Sequence, residues 1–156
     1  MGTTADDRAA LEAAYARLRR FAAVVGPADV EPDDLVQEAF TRCLRRGLGR
    51  IDDLDRYLRR TVLNLSANER RGWTRGQRAF ARHGAGDDAA PSDATFVDVG
   101  DLLALPADVR AVLWLVEVEG WSYAETATVV GCSEGAARMR AARARQALRR
   151  VVTEEA

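Results

Sequence analysis

The sequence predicts an all-α chain: two small helical domains joined by a flexible linker. Three observations carry this prediction. Apolar residues recur at spacings of three and four through most of the chain, and no alternating apolar–polar run extends beyond a few residues. Glycine, proline and capping residues cut that pattern into separate helices. Residues 83–100 read HGAGDDAAPSDATFVDVG, in which Phe96 and two valines are the only sizeable apolar side chains. Such a stretch has little to bury, and it reads as an acidic linker between a domain at residues 1–82 and another at 101–156.

The first helix is expected from Ala5 to Val25, with Leu11, Tyr15, Leu18 and Ala22 on one face, and Gly26-Pro27 ends it. Glu31-Pro32-Asp33-Asp34 opens the second. Proline suits a first turn, and the carboxylates complement the positive end of the helix dipole. From Asp33 to Arg46 this helix sets Val36, Phe40 and either Cys43 or Leu44 on one face, and Asp34, Gln37, Glu38 and Thr41 on another. Gly47 and Gly49 break it. The third helix begins near Asp53 and runs to about Arg71, with Tyr57, Leu58, Val62 and Leu65 as apolar members. A separate arginine-rich tail carries on through Trp73 toward Arg82.

Beyond the linker, a helix from Pro106 to about Glu119 turns Val109, Val112, Leu113 and Val116 inward and stops at Gly120. Ser122 and Glu125 have the spacing of a capping box for a short helix, Tyr123 to Val130. Gly131 ends it, Cys132-Ser133 form a tight turn, and Ser133 caps the last helix. Two helices about a glycine-bearing turn, the second long and basic, make a helix-turn-helix pattern.

Composition narrows the function classes. At 156 residues the chain suits one ordinary domain or two small ones. No apolar run approaches the roughly 18 residues of a membrane span, and no secretory leader pattern opens the chain; a cytoplasmic location and no membrane partner are expected. Cys43 and Cys132 lie far apart, form no CxxC motif and share the chain with one histidine, His83. A reduced pair and no metal site are expected. No phosphate loop and no Ser-His-Asp or Cys-His arrangement is present, so neither an enzyme nor a cofactor is expected.

All 23 basic residues are arginine, so their placement is more informative than their identity. The net charge of −1 hides a strong local asymmetry. From Arg42 to Arg82, twelve arginines face four acidic residues; from Asp87 to Glu125, Arg110 alone faces nine. The chain then turns basic again, with six arginines and one glutamate from Glu134 to Arg150. Two basic stretches flanking an acidic one point to two polyanion-facing surfaces.

On a wheel of about 100° per residue, Ala137, Ala141, Ala144 and Leu148 fall within roughly 60° and mark the inward stripe of the last helix. Arg138, Arg145 and Arg149 lie on one flank, and Arg140, Arg143 and Arg150 on the other. A guanidinium fork binds phosphate bidentately or reads a guanine edge in a major groove. Contact with DNA is therefore expected of this helix.

Two segments together resemble the extracytoplasmic-function (ECF) sigma factors of bacteria, a two-domain group of the sigma-70 superfamily. DDLVQEAFTRCLRR resembles the family's region 2 helix, and YLRRTVLNLSANERR the helix beside it. LLALPADVRAVLWLVEVEGWSYAETATVVGCSEGAARMRAARARQALR follows the region 4 pattern from its Leu-Pro start to its closing arginines. The resemblance covers roughly Leu11 to Arg82 and Asp101 to Arg150.

That resemblance implies partners and site residues. Asp34, Gln37, Glu38 and Thr41 would dock on the large catalytic subunit of core RNA polymerase. Arg59, Arg60, Asn64, Arg70, Arg71, Trp73 and Arg75 would meet the minus-10 element of promoter DNA. Strand opening calls for such a mixture, with positive charge to hold the separated strand and aromatic or polar groups to receive unstacked bases. Ser133, Glu134, Arg138, Arg140, Arg143 and Arg145 would face the minus-35 element. An anti-sigma factor is a common partner in the family.

The recognition helix departs from the family pattern at Ala136-Ala137, where Thr-Val is usual, and at Ala141, where leucine is usual, so base specificity is not carried over. Two other readings compete. A plain helix-turn-helix regulator explains Tyr123 to Arg150 but leaves DDLVQEAF and the stretch from Arg56 to Arg82 without a purpose. A sigma-like protein could also bind polymerase without initiating transcription.

Overall fold

Thr4 starts the first helix. Its hydroxyl accepts from the Asp7 amide at 3.2 Å while the Asp7 carboxylate accepts from the Thr4 amide at 3.0 Å, satisfying two amides that have no partner inside the helix. The computed structural model describes the backbone of residues 4–80 and 105–154, with side chains for 4–68, 105–150 and Thr153. The helices are α1 (Ala5–Val25), α2 (Pro32–Arg46), α3 (Leu54–Phe80), α4 (Ala107–Glu117), α5 (Tyr123–Val130) and α6 (Glu134–Glu154), with one 3-10 turn at Leu48–Arg50. No strand occurs among the described residues, so the chain is all-α, as its periodicity implies. The linker at 83–100, with His83 and Phe96, lies outside the described residues. The arginine-rich tail is no separate element: neither Gly72 nor Gly76 interrupts α3, whose backbone continues to Phe80.

The first three helices pack around Leu18, Phe21, Val25, Val36, Cys43, Leu58 and Val62, all without meaningful exposure. On α2 the inward positions are Leu35, Val36, Ala39 and Cys43. Phe40 is half-buried and Leu44 is 42% exposed, so of the two alternatives the inward one is Cys43. Burial pushes its thiol pKa up, and neither it nor Cys132 forms a disulfide.

Helix α4 is the keystone. The sequence pattern turns Val109, Val112, Leu113 and Val116 inward, yet only the first two are fully buried. Ala111 and Leu115 are buried instead, on a second stripe. The reason is that α4 is packed on two sides. Val109 meets Ala144 and Leu105, and Val112 meets Ala127, Ala137 and Ala141. Ala107, Ala111 and Leu115 join the buried cluster of α1, α2 and α3, together with Val129 of α5. The alanines of α6 lack bulk, which lets its backbone come close to α4 and α5.

A polar contact pins α1 to α2. The Tyr15 hydroxyl donates to Asp33 Oδ1, which also accepts from Arg19 Nε at 2.9 Å. The Tyr15 hydrogen bond, ahead of the Arg19 charge, holds the Asp33 carboxyl below its usual range. A carboxyl whose folded pKa is depressed adds stability above its unfolded pKa and loses it as pH falls through the folded one. Tyr15→Phe is therefore expected to reduce stability near neutral pH and to flatten its decline in acid. Urea midpoints measured from about pH 6 to pH 3 check this; parallel curves for the two proteins would exclude the contribution.

Candidate nucleic-acid interface

The C-terminal helices form the helix-turn-helix that their caps foretell. Ser122 Oγ accepts from the Glu125 amide at 3.1 Å, and a Glu125 carboxylate oxygen accepts from the Ser122 amide at 3.0 Å, closing a capping box on α5. Gly131 ends α5 with φ 78°, a left-handed conformation that strains any residue with a Cβ. Ser133 Oγ accepts from the Ala136 amide at 3.1 Å and starts α6. The inward stripe holds Ala137, Ala141, Ala144 and Ala147, with Leu148 half-buried, so the opposite face of α6 points to solvent.

The six arginines of α6 differ in what holds them. Arg138 is exposed, pairs with Glu134 at 2.6 Å and lies over the Tyr123 ring, 5.4 Å from its centroid. Arg143, Arg149 and Arg150 are exposed, and no ion pair involves Arg143 among the described residues. Arg140 and Arg145 are committed inside the C-terminal helices. Arg140 Nη1 lies 3.4 Å from Asp108 Oδ2 of α4. Arg145 pairs with Glu117 and donates to the Tyr123 hydroxyl at 2.9 Å. The Tyr123 hydrogen bond and then Glu117 raise the Arg145 pKa further above its ordinary value. Ser133 and Glu134 are exposed at the start of α6. The outward surface over the first turns of α6 therefore includes Ser133, Glu134, Arg138 and Arg143, joined by Met139, Ala142 and Gln146, which the arginine pattern does not single out.

The residues of α3 are placed differently. Asn64 is exposed. Arg60 is exposed and donates from Nη1 to the Thr128 carbonyl of α5 at 3.1 Å. Arg59 is 3% exposed. Its Nε donates to Glu119 Oε2 at 2.7 Å and its Nη1 to Asp55 Oδ1 at 3.1 Å, while its guanidinium lies 5.0 Å from the Trp121 ring centroid. Gly120, with φ 71°, makes the turn that aims Glu119 and Trp121 back at α3. Trp114 Nε1 donates to the other Glu119 oxygen at 3.2 Å, fixing the carboxylate from the far side. In this arrangement Arg59 is closed to any outside ligand. Arg70, Arg71, Trp73 and Arg75 lie on the backbone of α3, and their side chains lie outside the described residues.

On α2, Asp34, Gln37 and Thr41 are exposed and Glu38 is partly exposed, with Glu38 Oε1 2.9 Å from Arg42 Nε. These four side chains share one uncovered face, as the helical spacing requires. Beside them Leu11, Tyr15, Phe40 and Leu44, rimmed by Arg8 and Glu12, line an open groove of about 420 Å³. No cluster of metal-ligating side chains occurs among the described residues, and no described helix is long and apolar enough to cross a membrane.

Comparison with known proteins agrees with this geometry. The family model for sigma-70 region 4 matches residues 102–148, the helix-turn-helix and the helix before it. The RNA polymerase sigma factor CarQ of Myxococcus xanthus is 31% identical over 78% of this chain and 75% of its own length. The ECF RNA polymerase sigma factor SigM of Mycobacterium tuberculosis is 30% identical over 95% of this chain and 80% of its own. In three dimensions the chain is similar to the sigma factor RpoE of Bartonella quintana, solved in complex with the anti-sigma factor NepR. That match has a TM-score of 0.75 at 23% identity and covers 96% of this chain and 98% of that one. The fold is common to both. With relatives at this identity spanning most of its length, and a region 4 whose turn and caps are in place, the chain belongs to the ECF sigma factors of the sigma-70 superfamily.

Proposed function

We propose that this sigma factor binds core RNA polymerase in the cytoplasm and directs it to promoters by recognising minus-10 and minus-35 elements and assisting strand opening. It would do so without covalent chemistry or cofactor. The observation that carries the reading is the outward face of α6: an uncovered, capped recognition helix with Arg138 and Arg143 exposed on it. In this reading residues 1–82 bind polymerase and the minus-10 element, 83–100 link, and 101–156 bind the minus-35 element. Asp34, Gln37, Glu38 and Thr41 form the polymerase contact, and the adjoining groove extends it with apolar area. Arg60, Asn64, Arg70, Arg71, Trp73 and Arg75 serve the minus-10 strand, joined by Arg59 once Glu119 releases it. An anti-sigma factor is a fitting partner, since the complex similar in fold contains one.

The test is in vitro transcription with core polymerase, a library of promoter fragments and this chain as the sole added factor. Specific starts are expected, and they would also define both promoter elements. Binding to core polymerase without starts would favour a sigma-like regulator. Binding to duplex DNA with no affinity for core would favour a plain helix-turn-helix regulator.

A further inference from the structure

Met139 occupies a position on α6 that the arginine pattern conceals. It stands nearly opposite the buried alanine stripe at about 100° per residue, in the second turn of the helix, where a recognition helix meets base edges. It is 58% exposed, one of three exposed large apolar side chains among the described residues. The other two sit elsewhere: Leu44 borders the groove on α2, and Val118 lies in the turn after α4. Around Met139 the outward face is nearly bare. Gly135 has open space where a Cβ would stand, and Ala142 adds a single methyl. Arg143 and Arg138, the latter paired with Glu134 of its own helix and still exposed, flank this patch. Arg140 and Arg145, the other arginines of these turns, are tied to Asp108 and to Glu117 and Tyr123. Among the described residues, the first three helices pack on α4 and α5, and the outward face of α6 is uncovered.

The surface offered to a duplex is thus a small apolar spot between two cations. On the major-groove edge of a base pair, the thymine 5-methyl is the apolar group that distinguishes one pair from another; the remaining groups are hydrogen-bond donors and acceptors. A methionine, unbranched and polarisable, adapts its thioether to such a group. Small residues at 135 and 142 let the helix approach closely enough for contact. We propose that Met139 is a specificity-determining residue that reads the 5-methyl group of a thymine in the minus-35 element. The flanking Arg138 and Arg143 take phosphate or guanine. This rests on the reading of α6 as the duplex-reading helix and adds to it a base and a chemical group.

The test uses the full chain assembled with core polymerase and a promoter selected by its starts. Each thymine of the upstream element is replaced in turn by deoxyuridine, which removes the methyl and preserves pairing. For the wild-type chain, binding is expected to weaken about fourfold at one or two thymines, the scale of one buried methyl group. Met139→Ala is expected to lose about the same on thymine DNA and to bind both DNAs equally well. Met139→Leu, which keeps the apolar reach, retains the discrimination and so separates contact from folding. Indifference of the wild-type chain to every replacement overturns the proposal, as does an upstream element without thymine, or full discrimination retained by Met139→Ala. In those outcomes the promoter selection still stands. A holoenzyme that selects no promoter overturns the sigma reading itself, and the proposal with it.

Discussion

Replacing Glu119 by alanine is expected to uncouple the two sets of helices. The carboxylate accepts from Arg59 at 2.7 Å and from Trp114 at 3.2 Å, and the Arg59 and Glu119 side chains are 3% and 11% exposed. Removing one member of a buried ion pair leaves the other charge uncompensated, at a cost of roughly 3 to 5 kcal/mol. Here Asp55 remains beside Arg59, and its side chain is 49% exposed. The expected loss is therefore smaller, about 2 kcal/mol. Glu119→Gln keeps the acceptor for Trp114 and the shape of the turn, and should lose less. Urea unfolding of the full chain measures both, and midpoints unmoved in both variants would show that the pair adds nothing.

The same substitution has a consequence for DNA. Elements about 25 base pairs apart lie on the order of 85 Å from each other along B-form DNA. A compact chain of this length is only about 40 Å across. Fully extended, residues 81–104 can reach on the order of 80 Å. Reaching both elements therefore requires the contact of α4 and α5 with α1 and α3 to open, and Arg59 is then released. With that contact weakened, Glu119→Ala is expected to bind a single-stranded minus-10 oligonucleotide more tightly than the wild-type chain in the absence of core. A fluorescence-anisotropy titration would register the difference; equal affinity would separate Arg59 from DNA binding.

Arg143→Ala is expected to give the largest single loss in promoter binding. Arg143 is exposed on the outward flank of α6, and no ion pair employs it among the described residues. A guanidinium that reads a guanine edge supports about 1 to 3 kcal/mol of discrimination, roughly fivefold to more than a hundredfold in affinity. Arg145→Ala is the matched comparison. Its partners Glu117 and Tyr123 belong to the same group of helices, and its side chain is 35% exposed. Its removal should cost about 0.5 kcal/mol of stability, the scale of a half-exposed pair, with little effect on promoter choice. Gel shifts with holoenzyme on promoters carrying or lacking the upstream element, paired with thermal unfolding, distinguish the two. Equal losses of binding from Arg143→Ala and Arg145→Ala would show that the internal pairs do not set the reading surface.

The local elements were legible because their causes are local. The Ser122–Glu125 capping box, the left-handed Gly131 and the Ser133 cap lie within a few residues of what they satisfy, so spacing alone located α5 and the start of α6. The α2 face with Asp34, Gln37, Glu38 and Thr41 was legible for a similar reason, since helical periodicity fixes which side chains stand together. Periodicity likewise marks Ala137, Ala141 and Ala144 of the α6 stripe, whereas its last buried position is Ala147 and Leu148 is only half-buried. By contrast, the inward side of α4 was read incompletely. Periodicity marks an apolar stripe but not how many neighbours a helix has, and α4 has them on two sides.

Arg59 and the α6 arginines mark where the sequence stops. In the sequence, Arg59 and Arg60 are equivalent basic neighbours. In the structure one is buried against a carboxylate sixty positions away and the other lies on the surface. Likewise Arg140 and Arg145 look like Arg143 until Asp108, Glu117 and Tyr123 are brought beside them. Charge and periodicity determined which helices form and which of them are basic. Only tertiary packing decided which guanidinium groups are paired across helices and which stay on the surface, because an ion pair depends on distance in space.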